Sequence, residues 1–243
     1  MKYKKKIVCI IQARMGSSRL PGKVLFTGVN DKPLLLNLYE RIKKSKYIDK
    51  IVIATTKSKK DLEIVKICKK NKIDCFQGST KNVLDRYYKC ALKYNAESIL
   101  RVTSDCPLLE YKFIDKFLLE SQKKKYNYFS NCSPRTFPKG YDLEIFDFET
   151  LKYCKINATL KYDKEHVTPY ILKNLPHFKF GSIKYKRNLF KKYRLTLDYM
   201  DDYFVIMKIF NNLYSQDKFF DLKKIIDYLD KSKVWKLNIE NNK

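Results

Sequence analysis

Ile-Ile-Gln-Ala-Arg-Met-Gly-Ser-Ser-Arg-Leu-Pro-Gly-Lys, residues 10–23, is the stretch on which the reading of the chain turns. It continues an apolar run, Ile7-Val-Cys-Ile-Ile11, which predicts a buried strand. Gly16, Ser17, Ser18, Pro21 and Gly22 then form a short loop framed by Arg14, Arg19 and Lys23. Glycine lets backbone N–H groups approach a ligand closely, and fixed cations suit a polyphosphate. The loop is not a P-loop: five residues rather than four separate Gly16 from Gly22, and Val24 stands where a magnesium-binding hydroxyl is needed. An isolated loop of this composition reads as a plain turn between strand and helix. Three cations and two glycines within ten residues tip the reading toward a nucleoside triphosphate site.

The rest of the first half alternates strand and helix. Asn30-Asp-Lys-Pro33 predicts a helix cap before Leu34, Leu35, Leu38 and Ile42, which recur on one helical face. Ile51–Thr56, Ile73–Phe76 and Ser98–Val102 read as further strands. Between them, Ser58 and Thr80 are placed to cap helices carrying Leu62, Val65 and Cys68, and Val83, Leu84, Tyr87 and Ala91. Such alternation predicts an α/β fold: a mostly parallel sheet covered by helices on both faces, with ligands at the carboxyl ends of its strands. The second half is less regular. Strands are expected within 123–129, at 140–146 with one face exposed, at 178–185 and at 193–197. Helices are expected at 147–162, from 165, at 203–214 and at 222–229. No linker or repeat interrupts the 243 residues. They read as one domain: a nucleotide-binding half (1–124), an inserted β/α segment (125–192) for an acceptor or for dimerisation, and a closing segment (193–243).

Composition narrows the class. No apolar run approaches the ~18 residues of a membrane span, and the apolar run after the basic start passes straight into the loop, unlike a secretory signal. The sequence reads as cytoplasmic, with no membrane partner. Seven cysteines without a Cys-x-x-Cys, and two histidines, give no zinc spacing. The net charge of +26 suggests nucleic acid, but only eight of the 52 basic residues are Arg. Lys, Asn, Ile, Phe and Tyr share A/T-rich codons. The lysines are spread along the whole chain, so the charge reads as a solvated surface with no specific nucleic-acid partner.

Two carboxylates stand out. Asp105 follows a predicted strand and precedes Cys106-Pro107, where it is well placed to hold Mg²⁺ beside a triphosphate or to serve as a turn residue. Asp198 follows Arg194-Leu-Thr-Leu197 and is a second candidate ligand, or a helix cap, a role that Asp201 fits better. Magnesium commonly uses one or two carboxylates plus substrate phosphates.

Gln12–Lys23 resembles the signature of the sugar-activating cytidylyltransferases, which make CMP-linked acylneuraminate and 3-deoxy-manno-octulosonate. The closest likeness is to the spore-coat polysaccharide synthesis protein F-like branch. Phe76-Gln-Gly-Ser79, Asn82–Tyr88, Arg101–Leu108, Lys139–Glu144, Glu165–Tyr170 and Arg194–Asp198 resemble later blocks of that branch, in order, over about residues 5–205. The resemblance implies a nucleotide-diphospho-sugar transferase fold and a Mg²⁺-dependent reaction of CTP with a sugar, giving CMP-sugar and pyrophosphate. It places Arg14 and Lys23 on triphosphate oxygens, with Gly16, Ser17 and Ser18 giving close backbone approach. Gln12 and Ala13 fall near the base, Gly78, Arg86 and Thr103 on the nucleotide side, and Asp105 and Asp198 on the metal. It also implies a homodimer. Asp142 and Glu144, on the polar face of a predicted strand, and His166 offer acceptors to a sugar or serve only solvent and structure. Arg135 and Lys139 face the same choice between a substrate carboxylate and plain surface charge. A glycosyltransferase of the same fold would consume a sugar nucleotide without releasing pyrophosphate. Such enzymes usually carry Asp-x-Asp, which the first half lacks. A nucleic-acid-binding protein is the remaining alternative.

Overall fold

A computed structural model describes residues 5–242; the start of the basic N-terminal run, residues 1–4, lies outside the described residues. The first half alternates β1 (Ile7–Gln12), α1 (Leu34–Ile42), β2 (Lys50–Thr56), α2 (Leu62–Lys70), β3 (Asp74–Gly78), α3 (Val83–Lys93) and β4 (Ser98–Thr103). The second half follows with α4 (Tyr111–Gln122), β5 (Tyr128–Ser130), β6 (Glu144–Asp147), α5 (Phe148–Asn157), α6 (Lys161–His166), α7 (Pro169–Lys173), β7 (Phe180–Ser182), α8 (Met200–Leu213) and α9 (Leu222–Ser232). The described strands form a seven-stranded sheet in the order β3-β2-β1-β4-β6-β5-β7. β6 alone runs against the rest, pairing antiparallel with β4 and β5.

Burial explains why strands this apolar persist. Ile7, Cys9 and Ile11 point to one layer, with Leu38, Ile64, Phe117, Ile206 and Ile225 from the helices there. Val8 and Ile10 point to the other, against Val83, Tyr87, Leu151 and Ile171. Period-2 alternation thus feeds two cores, and neither face of β1 is left to solvent.

The strand order places the site. From β1 the chain moves outward through β2 to β3, then α3 carries it back across the sheet to β4 on the other side of β1. At such a reversal the loops leaving β1 and β4 part in opposite directions and open a crevice at their carboxyl ends. Gln12 and Thr103, the last residues of the two strands, are paired partners in the sheet.

The second half departs from the sequence expectations. Segment 125–192 adds β5, β6 and β7 to the one sheet. The strand expected over 140–146 is confined to Glu144–Asp147, and Tyr141, Leu143, Ile145 and Phe146 are all buried, so no face is exposed. The strand expected at 193–197 is instead an extended segment joined to the fold by a single bridge between Lys139 and Arg194. Gly140 makes that possible: its φ is +92°, and a Cβ there would lie 2.3 Å from the Thr196 nitrogen. The helix expected over 147–162 breaks at Ala158, whose backbone is extended. The strand expected at 178–185 shrinks to Phe180–Ser182. The caps shift too. Asn82 rather than Thr80 caps α3. Asp31 has a positive φ and does not cap α1. Asp202 rather than Asp201 accepts from the backbone ahead of α8, at the N–H groups of Asp198 and Tyr199.

Beneath the crevice, Arg101 of β4 pairs with Glu144 of β6, its partner in the sheet register, and the Tyr128 hydroxyl donates to the same carboxylate. Burial raises the Glu144 pKa, but Arg101 and Tyr128 outweigh it and hold the group below its ordinary 4.5. The pair's stabilisation is therefore complete above pH 4.5 and is lost as the pH falls through the lower folded value. Glu144→Gln, which leaves the Arg101 guanidinium buried without its counter-charge, should lower stability at neutral pH by about 3–5 kcal/mol. In urea titrations the gap to wild type should narrow as the pH drops below 4.5.

Candidate active site

The loop after β1 is held by one buried carboxylate that sequence reasoning missed. Asp61, at the start of α2, accepts from the Met15 nitrogen at 2.7 Å and from the Thr56 hydroxyl. The Met15 carbonyl in turn accepts from the nitrogens of Ser17 and Gly22, each at 3.0 Å, and the Ser17 hydroxyl accepts from the Leu20 nitrogen at 3.2 Å. The chain thus doubles back on itself, and Gly22 at φ +72° makes the reversal without strain. Ser58-Lys-Lys-Asp61 resembles a helix-capping pattern, which hid the second use of the carboxylate.

The reversal sends Lys23 inward. Its ammonium donates to the Leu197 carbonyl at 2.6 Å and to Asp198 Oδ1 at 2.8 Å, and lies 3.4 Å from Asp105 Oδ2. Arg19, half exposed, reaches the same Asp198 oxygen at 2.7 Å. Arg194 takes the other oxygen at 2.9 Å while its Nε donates to Asp202, also at 2.9 Å. Burial raises the Asp198 pKa, but Lys23 and Arg19 more than offset this and hold it below the usual carboxylate range. The segment carrying Asp198 is tied to Asp105 through backbone: the Leu197 nitrogen donates to the Asp105 carbonyl at 2.8 Å. Asn238 closes the network from behind, donating to Arg194 O and Asp202 Oδ1.

Three cavities follow one another here, a central one with a neighbour on either side. A central one of about 300 Å³ is lined by Gln12, Arg14, Ser17, Ser18, Lys23 and His166, with Thr103, Asp105 and Asp198 at one end. Those last three also line a second cavity of about 350 Å³, whose far wall carries Arg135, Lys139 and Asp142. Arg14, Val83 and Glu165 are shared with a third, of about 660 Å³, which adds Thr80, Lys81, Lys161 and Lys164. A separate hollow of about 540 Å³ beside Ser98, Gln122 and Asp147 contains none of the sequence-predicted site residues.

The structure therefore brings together Gln12, Arg14, Ser17, Ser18, Lys23, Thr103, Asp105, Asp198 and His166. Ala13 is buried and contributes its backbone, donating to Ala54 O. Gly16 is exposed, with open space where a Cβ would be. Gly78 packs against the stem of Arg86, 2.7 Å from the position a Cβ would take. Arg86 is buried, and its Nε and one terminal nitrogen lack partners, as does Gln12 Oε1. Burial, reinforced by the nearby Arg14, lowers the Arg86 pKa. Glu144 is a correction: its carboxylate is turned into the pair with Arg101 and is not offered to a sugar. Asp142 does line the second cavity, held by Arg135 at 2.7 Å. Arg194, Asp202 and Asn238 escaped the sequence reading. Arg194 falls in an expected strand, where a spacing of four to Asp198 carries no signal; Asp202 reads as part of the start of a helix, and Asn238 has no local signal.

A protein-family profile described as cytidylyltransferase matches residues 8–233. The chain belongs to that family. It is 39% identical over 243 residues to an uncharacterized protein of Methanocaldococcus jannaschii, covering 98% of this chain and 95% of the relative. It is 33% identical over 205 residues to the spore coat polysaccharide biosynthesis protein SpsF of Bacillus subtilis, covering 81% and 83%. A solved cytidylyltransferase from Leptospira borgpetersenii superposes with a TM-score of 0.89 at 34% identity, covering 95% of this chain and 97% of that one. The likeness read from the loop thus holds along most of the chain, and the α/β sheet is the family's fold.

Removing the Asp61 carboxylate tests how far it organises the loop. Asp61→Ala should cost about 1–3 kcal/mol, since it leaves buried donors unpaired. It should also speed amide exchange at Met15 and Gly22 more than at residues of β1.

Proposed function

We propose that the protein transfers the cytidylyl group of CTP to a hydroxyl of an acidic sugar, releasing pyrophosphate, in the synthesis of a surface polysaccharide. The observation that carries this reading is the meeting of Lys23, Asp105 and Asp198 where the central and second cavities join. Family membership and the likeness to SpsF support it. The triphosphate lies in the central cavity, against Ser17, Ser18 and the cations Arg14, Arg19 and Lys23. The sugar lies in the second, where Arg135 and Lys139 favour a carboxylate and Asp142 accepts from hydroxyls. Burial and the neighbouring Arg194 and Arg135 lower the Lys139 pKa, as expected where cations crowd around space meant for an anion.

The donor set suits Mg²⁺. Asp105 and Asp198 turn oxygens toward one point, which the Lys23 ammonium now neutralises, and both are hard ligands of the kind magnesium takes alongside substrate phosphates. Among the described residues no group of three or more candidate ligands exists, so the remaining positions would fall to phosphate and water. Bound there, the ion would neutralise phosphate charge. The chain's own residues do the rest. Arg14 makes no hydrogen bond or ion pair with another described residue and is free to take phosphate oxygens. Lys23 and Arg19 exchange carboxylate for phosphate as the triphosphate enters. The leaving pyrophosphate is thereby met by fixed positive charge, while the two walls align the sugar hydroxyl with the α-phosphorus.

Incubation with CTP, Mg²⁺ and a panel of sugar acids should release pyrophosphate for one of them. Asp105→Asn should lower the rate by about 10²–10³-fold, the usual effect of removing one stabilising group. Nucleotide-sugar consumption without pyrophosphate would point to a glycosyltransferase instead. The homodimer belongs to the same reading. Its contact is assigned to the exposed apolar side chains around α5 and α6, among them Tyr153, Leu160, Tyr162 and Ile156, the last 71% exposed. In sedimentation, Ile156→Glu should be monomeric at concentrations where the wild type is dimeric.

A further inference from the structure

The third cavity is cationic, with Arg14, Lys81, Lys161 and Lys164 on its walls and Glu165 as its one acidic lining residue. The Glu165 carboxylate makes no hydrogen bond or ion pair with any other described residue, although lysines precede it at positions 161 and 164. Of the three carboxylates that line the central cavity, Asp105 and Asp198 face Lys23, and Glu165 alone has no cation partner. An acceptor held apart from so much positive charge is suited to an uncharged donor.

Its place is fixed from behind. Asp163, a buried residue of α6, pairs with Lys173 of α7 at 2.8 Å. Val167, also buried, has φ +72° and ψ −57°, and the Thr168 nitrogen donates across it to the His166 carbonyl at 2.9 Å. This is a γ-turn of the positive-φ kind, strained for a β-branched residue and kept only where the surroundings dictate it. The turn ends α6 abruptly and leaves Glu165 and His166 lining the cavities while Val167 enters the core.

The order of the cavities assigns the donor, given the cytidylyltransferase reading above. The second cavity shares Thr103, Asp105 and Asp198 with the centre, so the attacking hydroxyl and the α-phosphorus meet there. The nucleoside is left with the third and largest cavity. Glu165 is common to the third and central cavities, so it stands at their neck, between base and phosphates. In that reading the ribose, which joins base and phosphates, passes this neck beside Glu165.

We propose that Glu165 is the ribose-recognition residue of this site. Its carboxylate accepts hydrogens from the ribose 2′- and 3′-hydroxyls and so selects CTP over 2′-deoxy-CTP. A carboxylate can take two such hydrogens at once, and hydrogen bonds to a charged acceptor are the stronger kind.

Calorimetric titration of CTP and 2′-deoxy-CTP with Mg²⁺, without sugar, tests this on the full chain. Wild type should bind CTP about 10-fold or more tightly than the deoxynucleotide, a ratio equivalent to about 1.4 kcal/mol. Glu165→Ala should bring the ratio near one by weakening CTP alone. Its affinity for 2′-deoxy-CTP should hold or rise, because a negative charge beside the phosphates has been removed. Glu165→Gln, which keeps one acceptor, should fall between. Equal affinities in wild type, or an equal loss for both nucleotides in Glu165→Ala at unchanged melting temperature, would overturn the assignment. If wild type binds neither nucleotide, the cytidylyltransferase reading falls, and this assignment with it.

Discussion

The ammonium of Lys23 is the point on which the structure around the crevice depends. It is buried, and a buried charge is tolerated only where it is paired and hydrogen-bonded. Its partners come from distant parts of the chain: Asp105 beyond β4, and Leu197 and Asp198 in the segment before α8. One cation thus draws together the loop after β1, the loop after β4 and the C-terminal region. Arg194 and Asp202 extend the arrangement, alternating positive and negative charge so that the Asp198 carboxylate is matched on both oxygens.

This economy explains why the loop could look so much like a P-loop and fail its spacing. A P-loop carries its metal-binding hydroxyl beside its lysine. Here the position after the lysine is Val24, which is buried in the core. The oxygens facing this lysine come from elsewhere: Asp105 from the loop after β4 and Asp198 from the segment before α8. Around the crevice the central cavity joins the second at Thr103, Asp105 and Asp198 and the third at Arg14, Val83 and Glu165.

How much was legible in the sequence follows from how local each signal is. β1 through β4 and their helices announce themselves by apolar runs and periodicity, and the loop by its glycines and cations; all of these lie within a few residues. Asp105 and Asp198 were found because each follows an apolar stretch in a recognisable block. Glu144 misled because its alternation with apolar neighbours suggests a strand with a wet face. Only the pairing of β6 between β4 and β5 shows that both faces are covered and that Arg101 awaits it. Asp61 and Asn238 act on partners 46 and 36 residues away, and no spacing rule reaches so far. The 193–197 stretch has strand-like composition, but its neighbour is the backbone at Gly140, which leaves room for a bridge and not a ladder.

The clamp that Asn238 forms on Arg194 and Asp202 bears on how the molecule comes into being. Synthesis proceeds from the amino end, so the strand and loop that carry Lys23 leave the ribosome before the segments that supply its partners. Their cation then has no carboxylate until residue 105, no second one until 198, and no backing for the latter until 238. Arg41 repeats the pattern: its guanidinium waits first for the carbonyls of Leu108 and Leu109 and then for those of Lys218 and Phe220. A nascent chain with its parallel sheet in place would still hold unmatched buried charge at its centre. The crevice becomes whole only once Asn238 has been added, long after its defining loop.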